Sequence, residues 1–443
     1  MSKFQYEGVN RDRASTTVAG LADAEQVLLG RWPRHRPEPS LDRIRALTDL
    51  LGRPQTAYPV LHLTGTNGKT STARMIDSLL RAHGWRTGRF TSPHLESITE
   101  RVSLLGAPIP GDQFVQTFTK VEAAAGSVDS RSARAVSFFE AMAAIGFLAF
   151  AEADLDVAIV EVGMGGRWDA TNVADGEVAV ITPISLDHTS YLGSDVRTIA
   201  TEKAGIIKPD ATVICARQPD TVNAVIERRA AEVGATILHE GRDFAVASRS
   251  PGSSGQRLTL DGLTGREVVD VPLVGPHQAQ NAAVALVAAQ AIARNRGGTR
   301  LDRLAEGFAK ATSPGRLELL RSRPPVYLDA AHNPAGFSAL DAAARELGWH
   351  DVTVVLGVMS DKDVLGVLHG LSRPWVARVV CTQAAGERAL PADELAATAR
   401  DLLSVRVDAE PDLGTAVNSV LDARALVTGS VAMIGEVRAL FQQ

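Results

Sequence analysis

Gly65-Thr-Asn-Gly-Lys-Thr70 stands between an apolar run, Val60 to Leu63, and a helix-compatible stretch that begins near Thr70. Glycines on such a strand-to-helix turn let the backbone curl with no side chain in the way, so that successive N–H groups and the positive end of the helix face an anion. Lys69 adds a point charge suited to β- and γ-phosphates, and the Thr70 hydroxyl is placed for a magnesium ion or a phosphate oxygen. Thr66, Asn67, Gly68, Lys69 and Thr70 are therefore the expected phosphate-binding residues, with Lys69 also expected in the chemistry. The spacing is a shortened form of the common phosphate loop, because that pattern places a glycine five positions before Gly68, where Leu63 stands. An ordinary strand-to-helix connection is the plain alternative.

A second reactive stretch, Val160-Glu-Val-Gly-Met-Gly-Gly-Arg-Trp-Asp-Ala-Thr-Asn172, opens on a carboxylate at the end of an apolar run. Magnesium takes hard oxygen ligands and prefers one or two carboxylates plus phosphates and water, which makes Glu161 the first candidate ligand. A cap, or a pair with Arg167, is its structural alternative. Asp187-His188 closes the next apolar run. A lone histidine is more often structural, but this one follows a strand in the same half of the chain as Glu161, which favours a role in the site. Glu202-Lys203-Ala-Gly-Ile-Ile-Lys208 would ordinarily pass for a solvated helix face. Asp329-Ala-Ala-His-Asn-Pro334 could be turn chemistry alone.

The elements that must position these residues follow from apolar periodicity. A helix is expected over Leu41 to Leu51, with Ser40 as cap and Gly52 as stop, and another from the glycine loop to about His83. Strands are expected at Arg86–Thr91, Asp156–Val162, Glu177–Ile184 and from Thr212, with helices near Asp112–Ala125, Ser137–Ala153 and Asp220–Val233 between and after them. This alternation predicts an α/β protein with a parallel sheet and loops gathered at the strand C-termini, where ligands bind. From Phe244 to Val274 alternating residues such as Leu258, Leu260, Val268, Val269 and Val271, separated by glycine-rich turns, predict a small antiparallel β element. An alanine-rich helix over Gly275–Ala293 leads to the best linker, Asn295 to Arg300. The alternation then restarts, with strands expected at Val326–Leu328, Val352–Val358, Val376–Thr382 and Val431–Ile434. Two domains result: 1–296, carrying the phosphate loop, and a smaller α/β domain over 300–443.

The 443 residues are too many for one ordinary core, in agreement with that division. With 46 basic against 51 acidic residues and no long basic block, a nucleic-acid surface is not expected, and anionic ligands must be met by local charge. Cys215 and Cys381 give neither a disulfide framework nor a metal spacing, and Met1 to Ala14 has no apolar signal core. Ser137–Ala153 carries Glu140 and Glu152 and falls short of a bilayer span, so it reads as a buried helix. A cytoplasmic enzyme with no membrane partner is expected.

The shortened loop resembles the nucleotide loop of the Mur ligase superfamily, whose members join an amine to a carboxylate with ATP. The later motifs are similar to those of one branch, the folylpolyglutamate and dihydrofolate synthases, at about eight places between roughly residues 40 and 434. The resemblance implies ATP as co-substrate and magnesium held by Ser92, Glu161 and His188, and leaves room for a monovalent cation such as K+. It implies that Lys203 is carbamylated. An ammonium beside magnesium would cost several kcal/mol at an effective dielectric of about 20, and a carbamate reverses the charge. It implies that Asn281 meets the nucleotide base, Arg316 holds phosphate, Asp329 engages the nucleotide, and His332 lies in the cleft as a catalytic candidate. It places Ser137, Phe138, Phe139 and Glu140, and Trp168, Asp169 and Ala170, beside the pteroate. A serine rather than the more usual threonine opens the first of these segments. Met359-Ser-Asp-Lys-Asp363 also matches, with no role to assign, and residues 1–36 carry no such motif.

The implied reaction is transfer of the γ-phosphoryl group of ATP to a carboxylate, followed by attack of the L-glutamate amine on the acyl phosphate. Dihydropteroate and reduced folates both present that carboxylate, so a bifunctional monomeric enzyme is the favoured expectation, with folylpolyglutamate synthesis alone as its nearest alternative. A peptidoglycan-precursor Mur ligase would need a UDP-binding domain where only about 60 residues precede the loop. A non-catalytic nucleotide-binding module would have no use for Glu161, His188, Lys203 and the later motifs.

Overall fold

The computed structural model describes residues 19–31, 40–297, 301–386 and 388–441. Strands β1 (Val60–Thr64), β2 (Thr87–Phe90), β3 (Val102–Leu104), β4 (Ala107–Pro108), β5 (Val157–Glu161), β6 (Gly176–Ile181), β7 (Thr212–Cys215) and β8 (Thr236–His239) form one sheet. Their order is β4-β3-β2-β5-β1-β6-β7-β8, parallel from β2 to β8, with β3 and β4 added antiparallel at one edge. The chain leaves β1 toward β2 on one side and later passes from β5 to β6 on the other. The C-terminal ends of β1 and β5 therefore lie beside a reversal of winding, where open α/β sheets leave a crevice.

Every residue of β1 and β5 is buried, which explains why they read as continuous apolar runs rather than alternating ones. Alternation reappears in what they touch. Leu61, Leu63, Val157 and Ile159 pack with the helices Lys69–Ala82 and Pro276–Asn295, while Val60, Ala158 and Val160 face Gly111–Asp129 and Phe138–Glu152 on the other side. His62 is the polar intruder; burial pushes its pKa down to about 3, and the neutral ring bonds Thr171 Oγ1 at 2.8 Å.

A three-stranded antiparallel sheet follows, β9 (Ala245–Pro251), β10 (Gln256–Gly262) and β11 (Gly265–Val271), in order β11-β10-β9. Leu258, Leu260, Val269 and Val271 point into the core, while Val268, on the opposite pleat from Val269, is 52% exposed.

The second domain is built on β12 (Glu318–Ser322), β13 (Pro325–Asp329), β14 (Val352–Leu356), β15 (Val376–Cys381), β16 (Arg406–Ala409) and β17 (Ala425–Thr428). The order is β12-β13-β17-β14-β15-β16, parallel except for β12. One expectation needs correction here. Val431–Ile434 is not a strand but the first turn of the helix Val431–Phe441; the strand is the preceding run Ala425–Thr428, and a four-residue apolar run cannot distinguish the two by period. The chain just past residue 300 packs on the first domain. Leu301, Leu304, Phe308 and Ala311 belong to the core of the first domain, and Ser78 on the phosphate-loop helix donates to Gly307 O at 2.7 Å. Of the expected linker, residues 298–300 lie outside the described residues, as does most of 1–36.

Candidate active site

The loop after β1 needs both glycines. Gly65 has φ +148°, and a Cβ there would overlap Thr182 Oγ1; Gly68 has φ +88°, and a Cβ would come within 2.5 Å of Asn281 Oδ1. Thr66 fastens the loop to the segment after β6, its N–H donating to Pro183 O at 2.9 Å and its hydroxyl to Ser185 O at 3.0 Å. Lys69, Thr70 and Ser71 form the first turn of the helix Lys69–Ala82, where N–H groups have no intrahelical acceptor. They line the cleft. Lys69 Nζ donates to Gly65 O and Thr66 O at 3.1 and 3.2 Å. Burial lowers its pKa, against the pull of Glu161 and Asp187.

Glu161 ends β5 beside that turn and is almost wholly buried. Thr70 Oγ1 lies 2.9 Å from both of its oxygens, so the hydroxyl expected to meet an ion or phosphate is bonded to the carboxylate. Burial raises the pKa of Glu161, and Lys69, the Thr70 hydroxyl and the Ser92 N–H oppose that rise. His188, in left-handed conformation at φ +51°, starts a short helix after β6, and burial followed by the charge of Lys362 lowers its pKa to about 4. The ring is therefore neutral near pH 7, the form that can ligate a metal. Ser92, Glu161, His188 and Lys203 all line the one cleft. Among the described residues no three His, Cys, Asp or Glu side chains gather as a metal cluster. A hard cation that completes its shell with phosphates and water does not require one, so this donor set fits magnesium.

Lys203 is not on a solvated face. It is 5% exposed, and its Nζ donates to Gly65 O at 2.8 Å, under the phosphate loop. Burial, then the nearby charge of Lys69, lowers its pKa to about 7. Its neighbour Glu202 gained no role from sequence, yet Glu202 Oε1 accepts from Gly166 N at 3.3 Å and Trp168 N at 3.1 Å. That carboxylate holds the glycine-rich loop in shape. Only the loop's own glycines, which leave N–H groups in need of an acceptor, hinted at it in the sequence.

From the second domain come Arg316, Asp329, Ala330, Ala331 and His332. Asp329 ends β13, and its two oxygens accept from Leu317 N and Ala331 N at 2.9 and 2.8 Å, fixing the turn that carries Arg316 on one side and His332 on the other. Burial raises its pKa, opposed first by Arg316. Asn281 sits in the second turn of the helix Pro276–Asn295, against the phosphate loop, with Nδ2 donating to Gln278 Oε1 at 3.1 Å. Two further residues gained no role from sequence. Asn333 exchanges amide hydrogen bonds of 3.2 Å with Asn67, and Asp187 bonds Lys362 Nζ at 2.8 Å.

The segments expected beside the pteroate flank this cleft rather than line it. Ser137 and Glu140 form the capping box of the helix Phe138–Glu152, and Glu140 pairs with Arg43 at 3.1 Å; neither lines the cleft. Phe138 is buried beneath the guanidinium of Arg101. Phe139 does not line the cleft either, but its ring packs against Gly163, which does. Asp169 turns inward, its carboxylate bonded to Met164 N and Thr171 N at 3.0 Å each, and Ala170 is buried, whereas Trp168 stands 46% exposed at the loop surface.

Comparison with known proteins decides the lineage. The Mur ligase middle domain matches residues 63–289, and the Mur ligase glutamate ligase domain matches residues 315–434. The chain is 44% identical to the dihydrofolate synthase/folylpolyglutamate synthase of Mycobacterium tuberculosis, over 96% of this chain and 94% of that protein. It belongs to the dihydrofolate synthase/folylpolyglutamate synthase family. Folylpolyglutamate synthase of Lacticaseibacillus casei is 33% identical over 89% of this chain and 93% of that one. The M. tuberculosis folylpolyglutamate synthase structure complexed with ADP and AMPPCP superposes with a TM-score of 0.90 at 43% identity, covering 96% of this chain and 98% of that one. As a member of this family the chain is an ATP-dependent ligase acting on small molecules. No helix among the described residues is long and apolar enough to cross a membrane.

Proposed function

We propose that this ligase adds L-glutamate both to dihydropteroate and to the glutamate tail of reduced folates, as a cytoplasmic monomer. The observation that carries the reading is the meeting, in one cleft, of the phosphate loop, Glu161 with His188 and Ser92, and the Arg316–His332 turn of the other domain. Relatives named for both activities, in M. tuberculosis and in Escherichia coli (34% identical over 80% of each chain), support the bifunctional form.

ATP would lie with its phosphates over the first turn of the Lys69 helix, its base toward Asn281. Glu161, His188 and Ser92 would hold magnesium, which when bound neutralises phosphate charge. Lys69 and Arg316 would place positive charge from two domains around the γ-phosphate, where charge shifts as the substrate carboxylate attacks. The products of that step are ADP and an acyl phosphate. The L-glutamate amine then displaces phosphate, losing a proton in doing so. His332 stands at the cleft with Nδ1 held 2.8 Å from Ala330 O and Nε2 turned toward Asp187. It is the side chain here best placed to steer the amine. Lys203 as a carbamate would put negative charge beneath the loop in place of a competing ammonium, and a monovalent cation such as K+ would suit that added charge. Phe139 and the exposed Trp168 are the aromatic side chains against which a pterin would rest.

ADP release with dihydropteroate, tetrahydrofolate and a UDP-muramoyl peptide as separate substrates tests the assignment. Turnover is expected with the first two at saturating glutamate. No ADP from dihydropteroate would leave folylpolyglutamate synthesis alone, and turnover only with the muramoyl peptide would overturn the reading. Carboxylate oxygen labelled with a heavy isotope should appear in the released phosphate.

A further inference from the structure

Three side chains from two segments of the second domain converge on a single carboxylate of the first. Asp187 Oδ1 accepts from Lys362 Nζ at 2.8 Å, Oδ2 accepts from Asn333 Nδ2 at 3.0 Å, and His332 Nε2 lies 3.6 Å from Oδ2. Asn333 is at the same time paired with Asn67 of the phosphate loop, and its Oδ1 caps the helix Pro334–Glu346 through Gly336 N at 2.8 Å. Lys362 comes from Met359–Asp363, the motif that sequence left without a role. The Asp187 and Lys362 side chains are 9% and 11% exposed, so the pair is largely removed from water. Other ion pairs between the domains, Arg249 with Glu346 and Arg438 with Glu96, lie outside the cleft lining. Of these three ion pairs, only that of Asp187 continues into the phosphate loop and, one residue on, into His188.

We propose that Asp187 is a positioning residue for the ligase reaction. With Lys362 and Asn333 it latches the second domain onto the phosphate loop, so that Asn67 and His188 reach their working positions only when that domain is docked. The inference rests on the cleft being the ATP site, but not on the identity of the acyl substrate. Its energetic signature follows from burial: removing one partner of a secluded pair strands the other charge, whereas removing both does not.

The test is a double-mutant cycle of Asp187→Asn and Lys362→Met, read as affinity for a fluorescent ATP analogue, as kcat/KM for ADP release, and as small-angle X-ray scattering of the full chain with the analogue bound. Each single variant should lose about tenfold or more in affinity and in kcat/KM, and the double variant no more than the worse single. The scattering profile of Lys362→Met should be expanded relative to the parent. Losses that multiply in the double variant, or a Lys362→Met protein with parental affinity and scattering, would overturn the latch. If Asp187→Asn does not fold, Lys362→Met and Asn333→Ala, both on the far side of the contact, carry the same readouts. Because analogue affinity and scattering need no folate, a wrong acyl substrate would leave them intact and appear only in turnover.

Discussion

Lys203 offers the sharpest test of the site's chemistry. Burial and the neighbouring Lys69 charge bring its pKa to about 7, so the protonated side chain is disfavoured there by roughly 5 kcal/mol relative to an ordinary lysine. At about pH 7.5 such an amine is neutral about three-quarters of the time, whereas a lysine at about 10.4 is neutral about once in a thousand. Only the neutral amine attacks CO2, so the site raises the reactive fraction several-hundredfold. Protein equilibrated with ¹³C-bicarbonate should show a carbamate carbon resonance that is absent in Lys203→Ala. Stripping CO2 should slow turnover, and more severely below pH 7, because the neutral fraction falls as pH drops through the folded pKa. Lys203→Ala should lose about a hundredfold in kcat, with partial recovery in short carboxylates. In CO2-free buffer the unfolded chain binds the extra proton between about pH 7 and 10.4, so this residue makes stability rise with pH across that window. Turnover indifferent to CO2, together with no carbamate signal at saturating bicarbonate, would refute the reasoning.

Lys69→Ala and Glu161→Gln should each cut turnover about a hundredfold or more while leaving the thermal melt nearly unchanged, since both remove charge from the cleft rather than packing from the core; parental activity with parental magnesium dependence in Glu161→Gln would end its candidacy as a ligand. Gly65→Ala should destabilise the fold by about 2 kcal/mol or more in urea titration and abolish nucleotide binding, because its Cβ meets Thr182 and its φ is +148°; a variant that melts and binds as the parent does would show that the loop can relax. Ser137→Ala should cost about 1 kcal/mol of stability through the lost capping box, with KM for dihydropteroate unchanged, and the reverse pattern would place that hydroxyl at the substrate.

Local signals were the legible ones. The Gly65–Thr70 loop declares itself because backbone curvature, charge and helix start fall within six residues, and β1 and β5 because burial on both faces leaves them mostly apolar. Glu161, His188 and Lys203 were found as candidates, but their common cleft depends on a strand order that the chain does not spell out. Asp187 meets Lys362 across 175 positions, and no period or motif points from one to the other. Ser137 and Glu140 are expected beside the substrate by resemblance alone, while their spacing is also that of a capping box, which the folded chain forms. Val431–Ile434 failed for the usual reason, that a short apolar run has no measurable period.

The helix Leu304–Ala309 also bears on how this chain can be divided. Phe308 is fully buried against the phosphate-loop helix, and Ser71 Oγ lies 2.9 Å from Ser313 Oγ, so the first folding unit keeps hold of the chain well past the linker. A truncation ending at Gly297 would strip an apolar lid from the helix that carries Lys69 and would expose a surface prone to association. One ending after Ala311 would keep that core whole. Gene fusions, circular permutations or split-protein reassembly should therefore leave the linker, its short helix and the chain through Ser313 with the nucleotide-binding half.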